Sequence, residues 1–411
     1  MRLINRLDDD STALNCRHHF PTLSKTTEHG IRIFADNSSR SQIPEVTLNA
    51  VANQLLLWET HKGGQAAWDS PRAERTFNIR EQARIVAAAF CGGDASQIGF
   101  AANGTGTLAV LARAMFGNIL KSGDTIVITE ADHDANRLPW QALAALGCHV
   151  IDVPVLSDGG LDESAWQAAL AKKPKVVAFC MLSNVTGVLL PYARLAAEAK
   201  SVGSVVVLDA VQGPPHGYTN IMIPPVDVAI FSNCKLFSPH LGWWAIRPEL
   251  VDRMGLKPDI GSHPMLEWGT YAHSSYAGFI STYDYLCNLG AKGDFSSSMS
   301  IIRAHEAMLS ARFLENIPDS LRSSLLAADT PYRRVPIFSL ALPRARWPSI
   351  KIGFEAAGID VRIGQFGCPA TLKRLAAHYD NAALRMSFVH YNNISDIDAV
   401  CEVLNQLQDK Q

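Results

Sequence analysis

From residue 97 to residue 246, short runs of β-branched and apolar residues alternate with longer amphipathic stretches. This pattern predicts strands joined by crossover helices, and therefore a mostly parallel sheet flanked by helices. The expected strands cover 125–129, 149–153, 176–180, 205–208 and 228–231, each short, apolar and bounded by Gly, Pro, Asp or Ser. Between them, Asp162-Glu163-Ser164 opens one helix with capping residues, and another runs from 192 to 202 and ends before Gly203. Beyond about residue 298 the pattern changes. A helix to 315, a strand at 335–342, a helix around 350–357, a strand at 384–390 and a final helix from 394 predict a smaller α+β unit.

A chain of 411 residues exceeds what one hydrophobic core usually organises. The expected organisation is an N-terminal segment over 1–30, a large α/β domain over 31–297 and a small domain over 298–411, with the N-terminal segment packing on the small one. Ligands of such open sheets bind outside the strand C-termini, so the crevice between the domains is the expected site. With 47% hydrophobic and 18% charged residues the chain is globular. A net charge of -2 provides no basic surface for nucleic acid. The longest apolar runs are strand-sized, which argues against a membrane partner. Residues 1–10 turn acidic where a signal peptide needs an apolar stretch, so a cytoplasmic location is expected. Eight scattered cysteines read as reduced thiols, and no metal site is expected.

The chemistry concentrates where apolar runs end. The run 205–208 delivers Asp209, and the run 228–231 is followed by Ser232-Asn233-Cys234-Lys235. A lysine, a carboxylate, a ring-stacking group and a phosphate cradle, converging from different strands, are what pyridoxal 5′-phosphate requires. Asp209 suits the pyridine nitrogen, although a turn or helix cap is its plain alternative. Asn103-Gly104-Thr105-Gly106 opens an apolar helix and suits a phosphate, since orphan N–H groups and the helix dipole favour an anion. His133 follows the run 125–129 and suits stacking or acid/base work. Neither a Walker pattern nor a dinucleotide fingerprint is present.

This ordered set resembles class V aminotransferase-like enzymes of fold type I, in their cysteine desulfurase-like branch. His133-Asp134-Ala135-Asn136-Arg137-Leu138-Pro139-Trp140 resembles the family's His-x-Ala-Asn-x-x-Pro-Trp motif, whose histidine stacks on the cofactor. Ser183-Asn184-Val185-Thr186-Gly187 resembles a segment whose asparagine lies beside the ring hydroxyl and the substrate carboxylate. Asp209-Ala210-Val211-Gln212 matches Asp-x-x-Gln, and Ser232-Asn233-Cys234-Lys235 matches Ser-x-x-Lys. The resemblance therefore implies a Schiff base on Lys235, Asp209 on the ring nitrogen, Gln212 on the phenolic oxygen, and Ser232, Thr105 and Gly106 on the phosphate. Glu267-Trp268-Gly269-Thr270 resembles a segment whose threonine reaches the neighbouring subunit's phosphate, which implies a homodimer with shared sites. Arg385 in Arg385-Met386-Ser387-Phe388-Val389-His390-Tyr391-Asn392 would clamp the substrate carboxylate.

Three positions depart from the pattern. Cys234 stands where desulfurases commonly carry a phosphate-binding histidine. Arg40 stands where relatives have a small residue, which adds it to the substrate-binding candidates. Cys368, the candidate nucleophile, falls one residue late for the desulfurase persulfide cysteine. The implied activity is desulfuration or C–S β-elimination on a small α-amino acid. Alternatives are C–C bond chemistry of the decarboxylative aldolase or cyclase kind, transamination, and a non-enzymatic module.

Overall fold

The structure, a computed structural model, describes residues 14–24, 26–27, 30–58, 70–223, 225–255, 267, 272–290, 292–330 and 332–407. Its centre is a seven-stranded sheet: β1 (Ile98–Ala101), β2 (Thr125–Thr129), β3 (His149–Val153), β4 (Val176–Cys180), β5 (Val205–Asp209), β6 (Val228–Ser232) and β7 (Gly242–Ile246). The spatial order is β1-β7-β6-β5-β4-β2-β3. Strands β2 to β6 pair in parallel, while β7 runs antiparallel to both of its neighbours.

Alternate residues of each central strand enter different cores. Val177, Phe179, Val206, Leu208 and Phe231 join one cluster, with Trp166 and Leu195 of the helices Glu163–Ala171 (α2) and Tyr192–Ser201 (α3). Val176, Ala178, Val205, Val207 and Ile230 join the other, with Leu108, Leu111 and Met115 of the helix Gly104–Met115 (α1). Burial on both faces is why these strands read as unbroken apolar runs. The expected cap at 162 is present: Asp162 Oδ1 accepts the Ala165 N–H at 3.0 Å.

The C-terminal unit is a three-stranded antiparallel sheet, ordered β8 (Ile337–Leu340), β10 (Ala383–Ser387), β9 (Arg362–Gly364). Apolar faces of three helices, Phe295–Asn316 (α4), Trp347–Ala356 (α5) and Ile394–Gln406 (α6), cover it. The expected strands at 335–342 and 384–390 are thus shorter than the apolar runs that suggested them. The stretch 361–369, read as a loop, begins with β9. Strands β1 and β7 were not expected.

The segment just after residue 31 makes its pairings with the C-terminal part of the chain. Ile33–Phe34 pairs in parallel with Ile359–Asp360, and Asp36 bridges to Ser387 of β10, so this segment crosses to the C-terminal unit before α1 begins. Phe20 packs between the two units, its ring centroid 4.5 Å from that of Tyr391 and 5.7 Å from that of Tyr285. No helix among the described residues is long and apolar enough to cross a membrane.

Candidate active site

Parallel pairing places the ends of β2, β4, β5 and β6 along one edge, where a cavity of about 610 Å³ opens. Asp209 ends β5, Ser232 ends β6, and Lys235 closes the single turn Asn233–Lys235 beyond it. His133 lies four residues past β2 and Asn184 four past β4. All five line this cavity, with Gly104, Thr105, Gln212 and Arg385. Strand order in the central sheet gathers the residues from Gly104 to Lys235 at this edge, and Arg385 reaches it from β10 of the C-terminal unit.

Asp209 is buried, and one oxygen accepts the Val211 N–H at 3.0 Å. Burial raises its carboxyl pKa, with the Val211 N–H, His133 and Lys235 pulling the other way. His133 Nδ1 accepts the Ala135 N–H at 3.0 Å, which assigns the imidazole proton to Nε2. Burial lowers its pKa, an effect that Lys235 and Arg385 reinforce and Asp209 opposes, so the ring is neutral near pH 7. Beneath it Asp132 is fully buried between Thr129 and Asn136, and burial pushes its carboxyl up to about 8.

Helix α1 points its first turn at the cavity. Asn103 caps it by accepting the Gly106 N–H at 2.8 Å. The close approach depends on Gly242 at the start of β7, where a Cβ would stand 2.3 Å from the Asn103 carbonyl carbon. Across the cavity, Cys234 Sγ lies 3.2 Å from Lys235 Nζ and 3.3 Å from Ser232 Oγ. Gln212 donates through Nε2 to the Ser38 carbonyl at 3.0 Å, which leaves its second amide N–H available.

Arg385 on β10 is buried and ion-paired to Asp36 at 3.0 Å. It also donates to Ser39 Oγ and to the Asn184 carbonyl, and its Nε is the one nitrogen without a partner among the described residues. The ring of Phe366 stacks 4.4 Å from the guanidinium carbon. Asn184 is held at both ends: Nδ2 donates to the Phe366 carbonyl at 3.1 Å, and Oδ1 accepts from Cys368 Sγ at 2.9 Å.

Three of the expected residues are placed differently. Arg40 is exposed and does not line the cavity, because the turn at Asp36–Ser39 directs Ser38 and Ser39 inward instead. Gly106 is also outside the lining, its N–H being used by the Asn103 cap. Cys368 is buried in a small apolar cluster with Val185, Leu372 and Ala383, and burial pushes its thiol well above the ordinary range. Thr270 lies outside the described residues, although Glu267 at the head of its segment accepts the Phe100 N–H and pairs with Arg84 at 2.8 Å. The cavity adds Ser38, Ser39, His240, Arg362, Ile363 and Phe366, which the sequence reading did not assign as site residues. Among the described residues no group of three or more His, Cys, Asp or Glu is placed to hold a metal ion.

Comparison with known proteins bears on the whole chain. The model of the family described as "Aminotransferase class-V" matches residues 33–400. A probable cysteine desulfurase of Mycobacterium leprae is 29% identical over 93% of both chains, and one of Pseudomonas putida is 26% identical over 95% of this chain and 97% of its own. Among solved structures, the apo cysteine desulfurase of Thermococcus onnurineus superposes with a TM-score of 0.80 at 24% identity, covering 92% of this chain and 95% of that one. These likenesses bear out the α/β fold expected from the strand pattern.

Proposed function

Because the chain belongs to the class V aminotransferases, a family of pyridoxal phosphate-dependent enzymes, we propose that Lys235 holds this cofactor and that the cavity acts on the C–S bond of a small cysteine-like α-amino acid. The observation carrying this reading is the convergence of Lys235, Asp209 and His133 from three parallel strands on a cavity that Arg385 also lines. The names of the relatives, cysteine desulfurases, direct it to cysteine-like substrates.

The residues fit the group. A buried carboxylate with one hydrogen bond, Asp209, suits a protonated ring nitrogen, which would offset the burial that raises its pKa. The Gly104 and Thr105 N–H groups and Ser232 Oγ suit a phosphate, His133 a stacking ring, and the free Gln212 N–H the ring oxygen. Bound there, pyridoxal phosphate supplies an electron sink for the pair left by a broken substrate bond. Lys235 would take and return the proton at the substrate α-carbon. Arg385, held by Asp36 and Ser39, would orient the carboxylate.

Arg385→Lys keeps the charge but loses the planar fork that Asp36, Ser39 and the Asn184 carbonyl share. We expect kcat/KM to fall about 10- to 100-fold, the worth of one charge-assisted hydrogen bond. Steady-state kinetics on the substrate identified below check this, and unchanged values would remove Arg385 from the site.

The buried Cys368 favours direct elimination over transfer of sulfur to the protein. The same burial gives some support to C–C bond chemistry, which needs no protein thiol. The discriminating experiment offers single amino acids to the enzyme, follows the visible absorbance and identifies the products by mass. Pyruvate, ammonia and sulfide from cysteine support elimination, whereas alanine indicates a sulfur relay. If no sulfur amino acid is consumed, the C–S reading is wrong.

A homodimer with shared sites belongs to this proposal, since Glu267 is anchored at the head of the segment carrying Thr270. Sedimentation at micromolar protein is expected to give twice the chain mass, and a fully active monomer would contradict it. A cytoplasmic setting belongs to it too, as all eight cysteines are unpaired.

A further inference from the structure

Residues 364–368 meet the site at four points. The Gly367 carbonyl accepts the Asp134 N–H at 2.7 Å, and the Phe366 carbonyl accepts Asn184 Nδ2 at 3.1 Å. Cys368 Sγ donates to Asn184 Oδ1 at 2.9 Å, and the Phe366 ring covers the Arg385 guanidinium. The backbone takes up unusual conformations to do this, with φ of +55° at Phe366 and +69° at Gly367. A side chain at 367 is excluded, because a Cβ there would come within 2.1 Å of His133 Nε2. A bulky residue in the left-handed region is unfavourable by itself, so the contacts of Phe366 must hold it there.

We propose that residues 364–368 form a positioning latch, in which Phe366 and Cys368 hold Asn184 and Arg385 ready for the substrate carboxylate. Cys368 serves as a hydrogen-bond donor and not as a nucleophile. The chemistry of the contacts supports this division. Asn184 has one amide, and the latch engages its donor end through Phe366 and its acceptor end through Cys368, so the amide cannot turn over. Arg385 is fixed in its plane by Asp36, Ser39 and the Asn184 carbonyl and on its face by Phe366, which leaves only Nε without a partner among the described residues. The Cys368 thiol, packed beside Val185, Leu372 and Ala383 and bonded to Asn184 Oδ1, is not itself part of the cavity lining.

The role in substrate binding rests on the proposed reading of the cavity as an amino-acid site, but the latch can be tested without turnover. Holoenzyme is treated with iodoacetamide and the rate of modification is followed at each cysteine by peptide mass. Cys368 is expected to react at least about tenfold more slowly than the partly exposed Cys287. Phe366→Ala should speed modification of Cys368 severalfold and leave Cys287 unchanged. Equal rates at Cys368 and Cys287 in the unaltered protein would overturn the latch whatever reaction the enzyme catalyses. Kinetics supply the second arm. Cys368→Ser, which keeps a donor, is expected to hold KM within about threefold, while Cys368→Ala raises it about tenfold with kcat moving less, the effect of one hydrogen bond. Loss of turnover in both variants alike, with a persulfide found on Cys368 of the unaltered enzyme, would make it a nucleophile and refute the proposal.

Discussion

Lys235→Ala is expected to lose the visible absorbance of bound cofactor and at least about 10⁴-fold in turnover, since one amine is asked to act as both covalent anchor and proton carrier. The fold should survive the change. Among the described residues the side chain makes a single hydrogen bond, to Cys234 Sγ at 3.2 Å, so its removal disturbs little packing. Spectra, kinetics and a melting curve taken on the same preparation separate the two effects. Turnover near the unaltered rate would show that another group holds the cofactor.

The second large effect is expected for Asp209→Asn. The amide oxygen can still accept the Val211 N–H, so the change removes charge and little else. On the proposed reading, the ring nitrogen of bound cofactor would lose the partner that keeps it protonated, and kcat should fall on the order of 10²- to 10³-fold, as when a preorganised electrostatic partner is removed. Stability should move the other way in cofactor-free protein. Burial raises the folded-state pKa of Asp209 above its ordinary value, so the stability it contributes is present at acid pH and is lost as pH rises through the raised pKa. The Asn variant has no such loss, and near pH 8 it should melt at or above the temperature of the unaltered protein. An equal fall in activity and in stability would mean that Asp209 serves mainly the fold.

What the sequence revealed and what it hid have physical causes. Central strands buried on both faces appear as unbroken apolar runs, and a polar residue at the end of each run marks the edge where a site can form. Asp209, Ser232, Lys235 and His133 were legible for that reason. Strand β7 was not: Gly242-Trp243-Trp244-Ala245-Ile246 follows β6 closely and runs antiparallel, whereas the pattern suggested parallel crossovers. The partner of Arg385 was equally hidden, since Asp36 lies 349 residues away and meets it only because the segment 33–36 crosses to the C-terminal unit. Arg362 and Phe366 line the cavity from β9 and the loop after it, where no periodicity operates. The single-residue offset of Cys368 was visible in sequence, but its consequence was not. Only the fold shows the thiol at the head of the helix Pro369–Leu375, turned toward Asn184 and an apolar cluster.

Whether Lys235 holds the cofactor can be read by mapping the lysine to which it is attached. Purified holoenzyme is reduced with borohydride, digested and analysed by mass, so that the cofactor's attachment becomes permanent and can be located. A pyridoxyl phosphate modification is expected on the peptide containing Ser232-Asn233-Cys234-Lys235, at Lys235, and is expected to be absent in Lys235→Ala. Modification at a different lysine, or none in enzyme that is active and yellow before reduction, would contradict that assignment.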